Sequence, residues 1–124
     1  MGPNKNVGIV GCGKISDAYL RIAKEFDVFK ISACADLKSD RAKVKGQEYG
    51  VRVSTVDELI TDPEIDIVLN LTIPSAHYEV AQAALLAGKS TYSEKPLCLN
   101  REEGRVLVEL ANEKDLRIGC APDT

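Results

Sequence analysis

The sequence predicts a doubly wound α/β domain, a parallel sheet of about six strands with helices on both faces. Three observations carry that expectation. Short apolar runs alternate with segments of helical period along the whole chain, the connections between runs are too long for hairpins, and a glycine-rich turn joins the first run to the first helix. At 124 residues the chain has room for one domain with a core of its own, residues 1–124.

The elements follow in order. Lys5 to Val10 is a short apolar run read as a strand, and Ala18, Tyr19, Ile22, Ala23 and Phe26 then fall on one face of a helix. Val28 to Asp36 is a second strand, small and apolar as a strand covered on both faces is. Ser39-Asp40 can cap a polar helix that stops at Gly50. Val51 to Val53 is a brief strand, followed by a short helix from Thr55 to Ile60 opened by Ser54 or Thr55. Asp66 to Thr72 is the most apolar strand. Pro74 then sits in the first turn of an alanine-rich helix ending at Gly88, where its missing amide hydrogen costs nothing. Lys89 to Ser93 is a fifth strand, Asn100 caps a helix through about Lys114, and Leu116 to Cys120 is a sixth strand. Ala121 to Thr124 leave that strand, and a further domain is expected C-terminal to it.

Composition excludes several classes. Hydrophobic content of 44%, charged content of 28% and a net charge of −3 fit an ordinary globular domain, and no basic stripe offers itself to nucleic acid or an anionic membrane. No apolar stretch reaches the roughly 18 residues of a membrane span, and the expected compartment is cytoplasmic. Cys12, Cys34, Cys98 and Cys120 form no CxxC pair and the chain has one histidine, His77, so no metal site is expected and the cysteines read as reduced, structural thiols.

The turn Val10-Gly11-Cys12-Gly13-Lys14-Ile15-Ser16 carries G-x-G-x-x-S between strand and helix. Gly11 permits a tight turn, Gly13 lets the backbone approach a pyrophosphate, and Ser16, although not Gly or Ala, is small enough for close helix packing. Lys14 and Ile15 lead into a helix N-terminus whose amide hydrogens and dipole suit phosphate. Asp36 ends the second strand 25 positions after Gly11, near the spacing of about 20 at which an acid meets the ribose hydroxyls of a dinucleotide. The competing reading of Asp36 is a cap for the next helix, for which Ser39 serves as well. This is the pattern of a Rossmann fold binding NAD. A carboxylate repels a 2′-phosphate, though Lys38 and Arg41 keep NADP open. Two other readings share these residues: a non-enzymatic dinucleotide sensor, and a site for the adenosine group of S-adenosylmethionine.

Thr72-Ile73-Pro74-Ser75-Ala76-His77, Ala87-Gly88-Lys89, Glu94-Lys95-Pro96-Leu97 and Cys120-Ala121-Pro122 resemble the Gfo/Idh/MocA (glucose-fructose oxidoreductase and inositol dehydrogenase) family over essentially the whole chain. The resemblance implies an NAD- or NADP-dependent oxidoreductase acting on sugars, sugar acids or cyclitols, from a longer, homo-oligomeric protein whose second domain supplies the acid/base histidine. It places Lys95 beside the nicotinamide as the catalytic residue, with Pro96 aiming it, through a cis bond if the turn requires one. Glu94 would hold the ribose or the lysine. Thr72, Ile73 and Pro74 would line the pyrophosphate and nicotinamide ribose. His77 would sit in the first turn of the next helix as a candidate contact, although a lone histidine there is more often a packing residue.

Overall fold

In a computed structural model, which describes residues 5–25, 29–96 and 98–120, six parallel strands stand in the order β3-β2-β1-β4-β5-β6. The strands are β1 (Lys5–Val10), β2 (Phe29–Ala35), β3 (Arg52–Val53), β4 (Ile67–Asn70), β5 (Ser90–Ser93) and β6 (Ile118–Cys120). The helices between them are α1 (Ser16–Ala23), α2 (Ser39–Tyr49), α3 (Val56–Thr61), α4 (Pro74–Leu86) and α5 (Arg101–Glu113). The order reverses at β1 and β4, and the carboxyl ends of those two strands open the crevice in which doubly wound sheets bind ligands.

Side-chain alternation along the strands builds two cores. Val7, Ile9, Cys34 and Leu69 point to the side of α1 and α2, where Leu20, Ala23 and Ala42 meet them. Val10, Ala33, Ala35 and Val68 point to the other side, against Leu59 of α3 and Ala84 of α4, and Ala81, Leu85, Leu107 and Ala111 seal α4 to α5. The buried thiols of Cys12 and Cys34 lie in this interior, while Cys98 and Cys120 are half-buried, and all four are free. Contact with the Cys34 thiol and burial push the Cys12 thiol up, which keeps it protonated.

The structure corrects or sharpens the sequence reading of the element boundaries in four informative places. α1 begins at Ser16, and it buries Ser16, Leu20 and Ala23 while Ile22 is 46% exposed, so the helix is rotated from the expected face; Phe26 and Val28 lie outside the described residues. Ile15, Ala18, Tyr19, Ile22, Ala23 and Phe29 instead line an apolar hollow of about 440 Å³ along α1. Ser39 does not cap α2: it is the first helical residue, Lys38 takes the cap position without a side-chain bond, and the Lys38 N–H is met by Asp36 Oδ1 at 2.8 Å. Thr55, not Ser54, caps α3, in a reciprocal capping box with Glu58. β4 stops at Asn70, short of Thr72. Gly50 and Gly88 end their helices as expected.

Candidate functional site

The two glycines of the turn are required for different reasons. Gly11 has φ +106°, and a Cβ there would lie 2.6 Å from the carbonyl of Leu71, where the exit of β4 crosses beneath the turn. The chain itself therefore demands glycine at this position. At Gly13 a Cβ would meet nothing within 4 Å among the described residues. Among the described residues no acceptor meets the N–H groups of Gly13, Lys14 and Ile15, so three consecutive donors face solvent at the start of α1. Ser16 at the third fingerprint position is fully buried, and its hydroxyl donates to the Gly13 carbonyl at 2.6 Å, which is how a polar residue fits where glycine or alanine is expected.

Asp36, one residue past β2, lies against this turn. The Cys12 N–H donates to Asp36 Oδ2 at 2.7 Å while the Lys38 N–H donates to Oδ1, so the carboxylate is fixed in place and each oxygen keeps further acceptor capacity. Beyond it a hollow of about 500 Å³ is lined by Leu37, Ser39, Val53, Ser54, Thr55 and Val56 among others. Beside the turn a second hollow, about 340 Å³, is edged by Lys14, Arg41 and Lys45, which give it positive charge. The Lys45 ammonium holds the Asp17 carboxyl below the usual carboxylate range.

At the other end of the crevice the exits of β4 and β5 meet. Thr72 is half-buried, and Ile73 and Pro74 are exposed on the rim. Glu94, half-buried, accepts a hydrogen bond from the Tyr19 hydroxyl of α1, and burial together with this carboxylate pushes the Tyr19 phenol up. Lys95 is exposed at the mouth, and the Lys95–Pro96 peptide bond is cis. His77 is 1% exposed, beneath the rim rather than on it. Its Nε2 lies 2.6 Å from the Thr72 carbonyl and its Nδ1 against the Pro96 carbonyl. Both ring nitrogens are thus turned toward main chain.

Two participants carried no signal in the sequence. Asn70, fully buried at the end of β4, donates through Nδ2 to the His77 carbonyl at 2.9 Å and accepts at Oδ1 from the Thr72 hydroxyl at 2.6 Å. Tyr19 reaches Glu94 from another element. Both read as ordinary strand-end and helix residues until tertiary contacts exist.

The residues present fit a dinucleotide: solvent-facing donors and open space for pyrophosphate at Gly13 to Ile15, a fixed acid at Asp36, and a hollow beyond it for a purine. Among the described residues no cluster of three or more His, Cys, Asp or Glu could hold a metal ion, and no helix is long and apolar enough to cross a membrane.

Comparison with known proteins agrees with this geometry. The inositol 2-dehydrogenase/D-chiro-inositol 3-dehydrogenase of Lactiplantibacillus plantarum is 33% identical over 114 residues, covering 89% of this chain and 32% of that protein. The myo-inositol 2-dehydrogenase of Thermotoga maritima is 30% identical over 112 residues, 89% of this chain and 34% of that protein. Biliverdin reductase from Synechocystis sp. PCC 6803, solved in complex with biliverdin and NADP+, superposes with a TM-score of 0.87 at 33% identity, over 93% of this chain and 37% of that one. The chain thus spans about a third of the length of the relatives it matches. The family model described as "Oxidoreductase family, NAD-binding Rossmann fold" matches residues 5–121. With that match across every described element, the chain belongs to the Gfo/Idh/MocA oxidoreductase family, as its NAD-binding Rossmann domain.

Proposed function

We propose that residues 5–120 hold NAD along the carboxyl edge of the sheet, within a cytoplasmic, homo-oligomeric dehydrogenase that oxidises a hydroxyl, or reduces the corresponding carbonyl, of a sugar, sugar acid or cyclitol. The observation that carries the reading is the run of unpaired N–H groups from Gly13 to Ile15 next to the fixed Asp36 carboxylate. The adenosine ribose is met by Asp36, the purine by the hollow around Leu37 and Val53, and the pyrophosphate by the Gly13, Lys14 and Ile15 amides. Thr72, Ile73 and Pro74 line the nicotinamide ribose. The two inositol dehydrogenases support a polyol substrate, and the likeness to a biliverdin reductase is consistent with a substrate choice made mainly outside this domain.

When bound, the nicotinamide supplies hydride transfer. Lys95, at the mouth of the crevice past β5, hydrogen-bonds the reacting oxygen, and its ammonium stabilises the negative charge that builds there. Pro96 sets the direction of that loop. Glu94, anchored by Tyr19, fixes the loop from the other side.

Calorimetric titration of the chain with NAD and with NADP at one ionic strength tests the binding reading. Saturable binding, tighter for NAD, is the expected result; a folded chain that binds neither overturns it. In the protein that carries this domain, Lys95→Ala should lower turnover by about two orders of magnitude or more with cofactor affinity held within a few fold. A near-normal rate removes Lys95 from the chemistry.

A further inference from the structure

β4 and β5 are hydrogen-bonded neighbours up to Asn70 and Ser93, and the last backbone link between them is the Glu94 N–H to the Asn70 carbonyl, 3.0 Å. Past that point the two chains separate into the loops that carry Thr72 to Pro74 on one side and Glu94 to Pro96 on the other. The His77 imidazole fills the gap, with Nε2 at the Thr72 carbonyl and Nδ1 at the Pro96 carbonyl. Its own carbonyl is held by Asn70, whose Oδ1 also takes the Thr72 hydroxyl. One buried ring thus spans both loops where the backbone ladder has ended.

A carbonyl oxygen only accepts, so each contact calls for an N–H on the ring; the neutral imidazole serves one of the two, the cationic ring both. Removing the ring would take away the side-chain contact at the Thr72 and Pro96 carbonyls and leave the spacing of the two loops unset. The adenosine end of the crevice does not share this dependence. Asp36 is fixed by Cys12 and Lys38, and its hollow is built from α2, β3 and α3, none of which touches His77 through a hydrogen bond.

We propose that His77 is a positioning residue for the nicotinamide half of the site: it touches no cofactor itself, and sets the separation of the Thr72–Pro74 and Glu94–Pro96 loops between which the nicotinamide ribose is held. This rests on the dinucleotide placement above. The test compares NAD with AMP, which reaches only the adenosine end, by calorimetry on this chain and its variants. The unaltered chain should bind NAD more tightly than AMP. His77→Phe should weaken NAD about tenfold or more while AMP affinity stays within about twofold, and His77→Gln, which keeps a side-chain N–H, should recover part of the loss. An equal loss for both ligands, or no loss for NAD, overturns the positioning role. If His77→Phe fails to fold, His77→Gln carries the same comparison, with a selective loss for NAD supporting the role and a parallel loss or none overturning it. NAD binding no tighter than AMP in the unaltered chain is a separate result: it overturns the dinucleotide placement itself, and the inference with it.

Discussion

Gly11 and Gly13 share a motif and answer to different constraints, which single substitutions separate. Gly11→Ala forces a Cβ to 2.6 Å from the Leu71 carbonyl at a positive φ, and should cost more than about 3 kcal/mol in denaturant unfolding. Gly13→Val meets open space, so the variant should melt within a few degrees of the unaltered chain yet lose NAD binding in calorimetry. Retained binding would move the pyrophosphate elsewhere. The motif's glycines were legible in the sequence; the division of labour was not, because the partner that excludes a side chain at Gly11 comes from residues 60 positions later. The sequence marks Asp36 as a candidate ribose acid, but its role as acceptor for the Cys12 amide depends on how the turn folds back on β2.

Among the elements, β4 and β5 are where sequence reading ran out. The apolar run Ile67-Val68-Leu69 announces a strand plainly, whereas Asn70, read as one more residue of a strand running to Thr72, is its last residue and a fully buried junction with partners in α4 and the following loop. α1 failed differently. Its apolar residues cover two sides of the helix, and periodicity alone cannot say which side meets the sheet; Leu20 and Ala23 won, leaving Ile22 outward. On β5, Thr91 Oγ1 and Ser93 Oγ are buried without a hydrogen-bond partner among the described residues. Thr91→Val, nearly isosteric, should therefore leave stability unchanged or raise it by up to about 1 kcal/mol in denaturant unfolding. Lys89, just before β5, is 5% exposed and donates to the carbonyls of Asp62 and Ile65, at 2.6 and 2.9 Å. It sits at the end of the sheet opposite the crevice, so Lys89→Met should cost about 2 kcal/mol without altering NAD affinity.

At the scale of the whole molecule, the alternation of apolar runs and helical segments was enough to give six parallel strands, because a strand-to-strand crossover in one sheet has essentially one allowed hand and the crossover lengths rule out hairpins. The distribution of charge sets its acid sensitivity. Asp62 is held below the usual carboxylate range by the Glu64 N–H and the Arg52 guanidinium, and Asp17 by Lys45 and the Tyr49 hydroxyl. A carboxyl lowered by folding contributes stability that is complete above its unfolded value, about 3.9, and is lost as the pH falls through the folded one. Melting temperature should therefore fall more steeply below about pH 4 in the unaltered chain than in Asp62→Asn, and parallel profiles would deny the pairing any part in stability.

The bond from the Cys12 amide to Asp36 also constrains how coenzyme preference can evolve. A lineage moving toward the phosphorylated dinucleotide must remove negative charge at position 36, but the group it removes also anchors the phosphate turn. Deleting the side chain would relax specificity and unfasten the turn in the same step. The passable intermediates are neutral residues that still accept a hydrogen bond, asparagine or serine, with the cationic Lys38 and Arg41 nearby in the sequence. Asp36→Asn should therefore retain NAD binding better than Asp36→Ala and narrow the gap to NADP, a ranking that titration of the two variants with both coenzymes would establish or reverse.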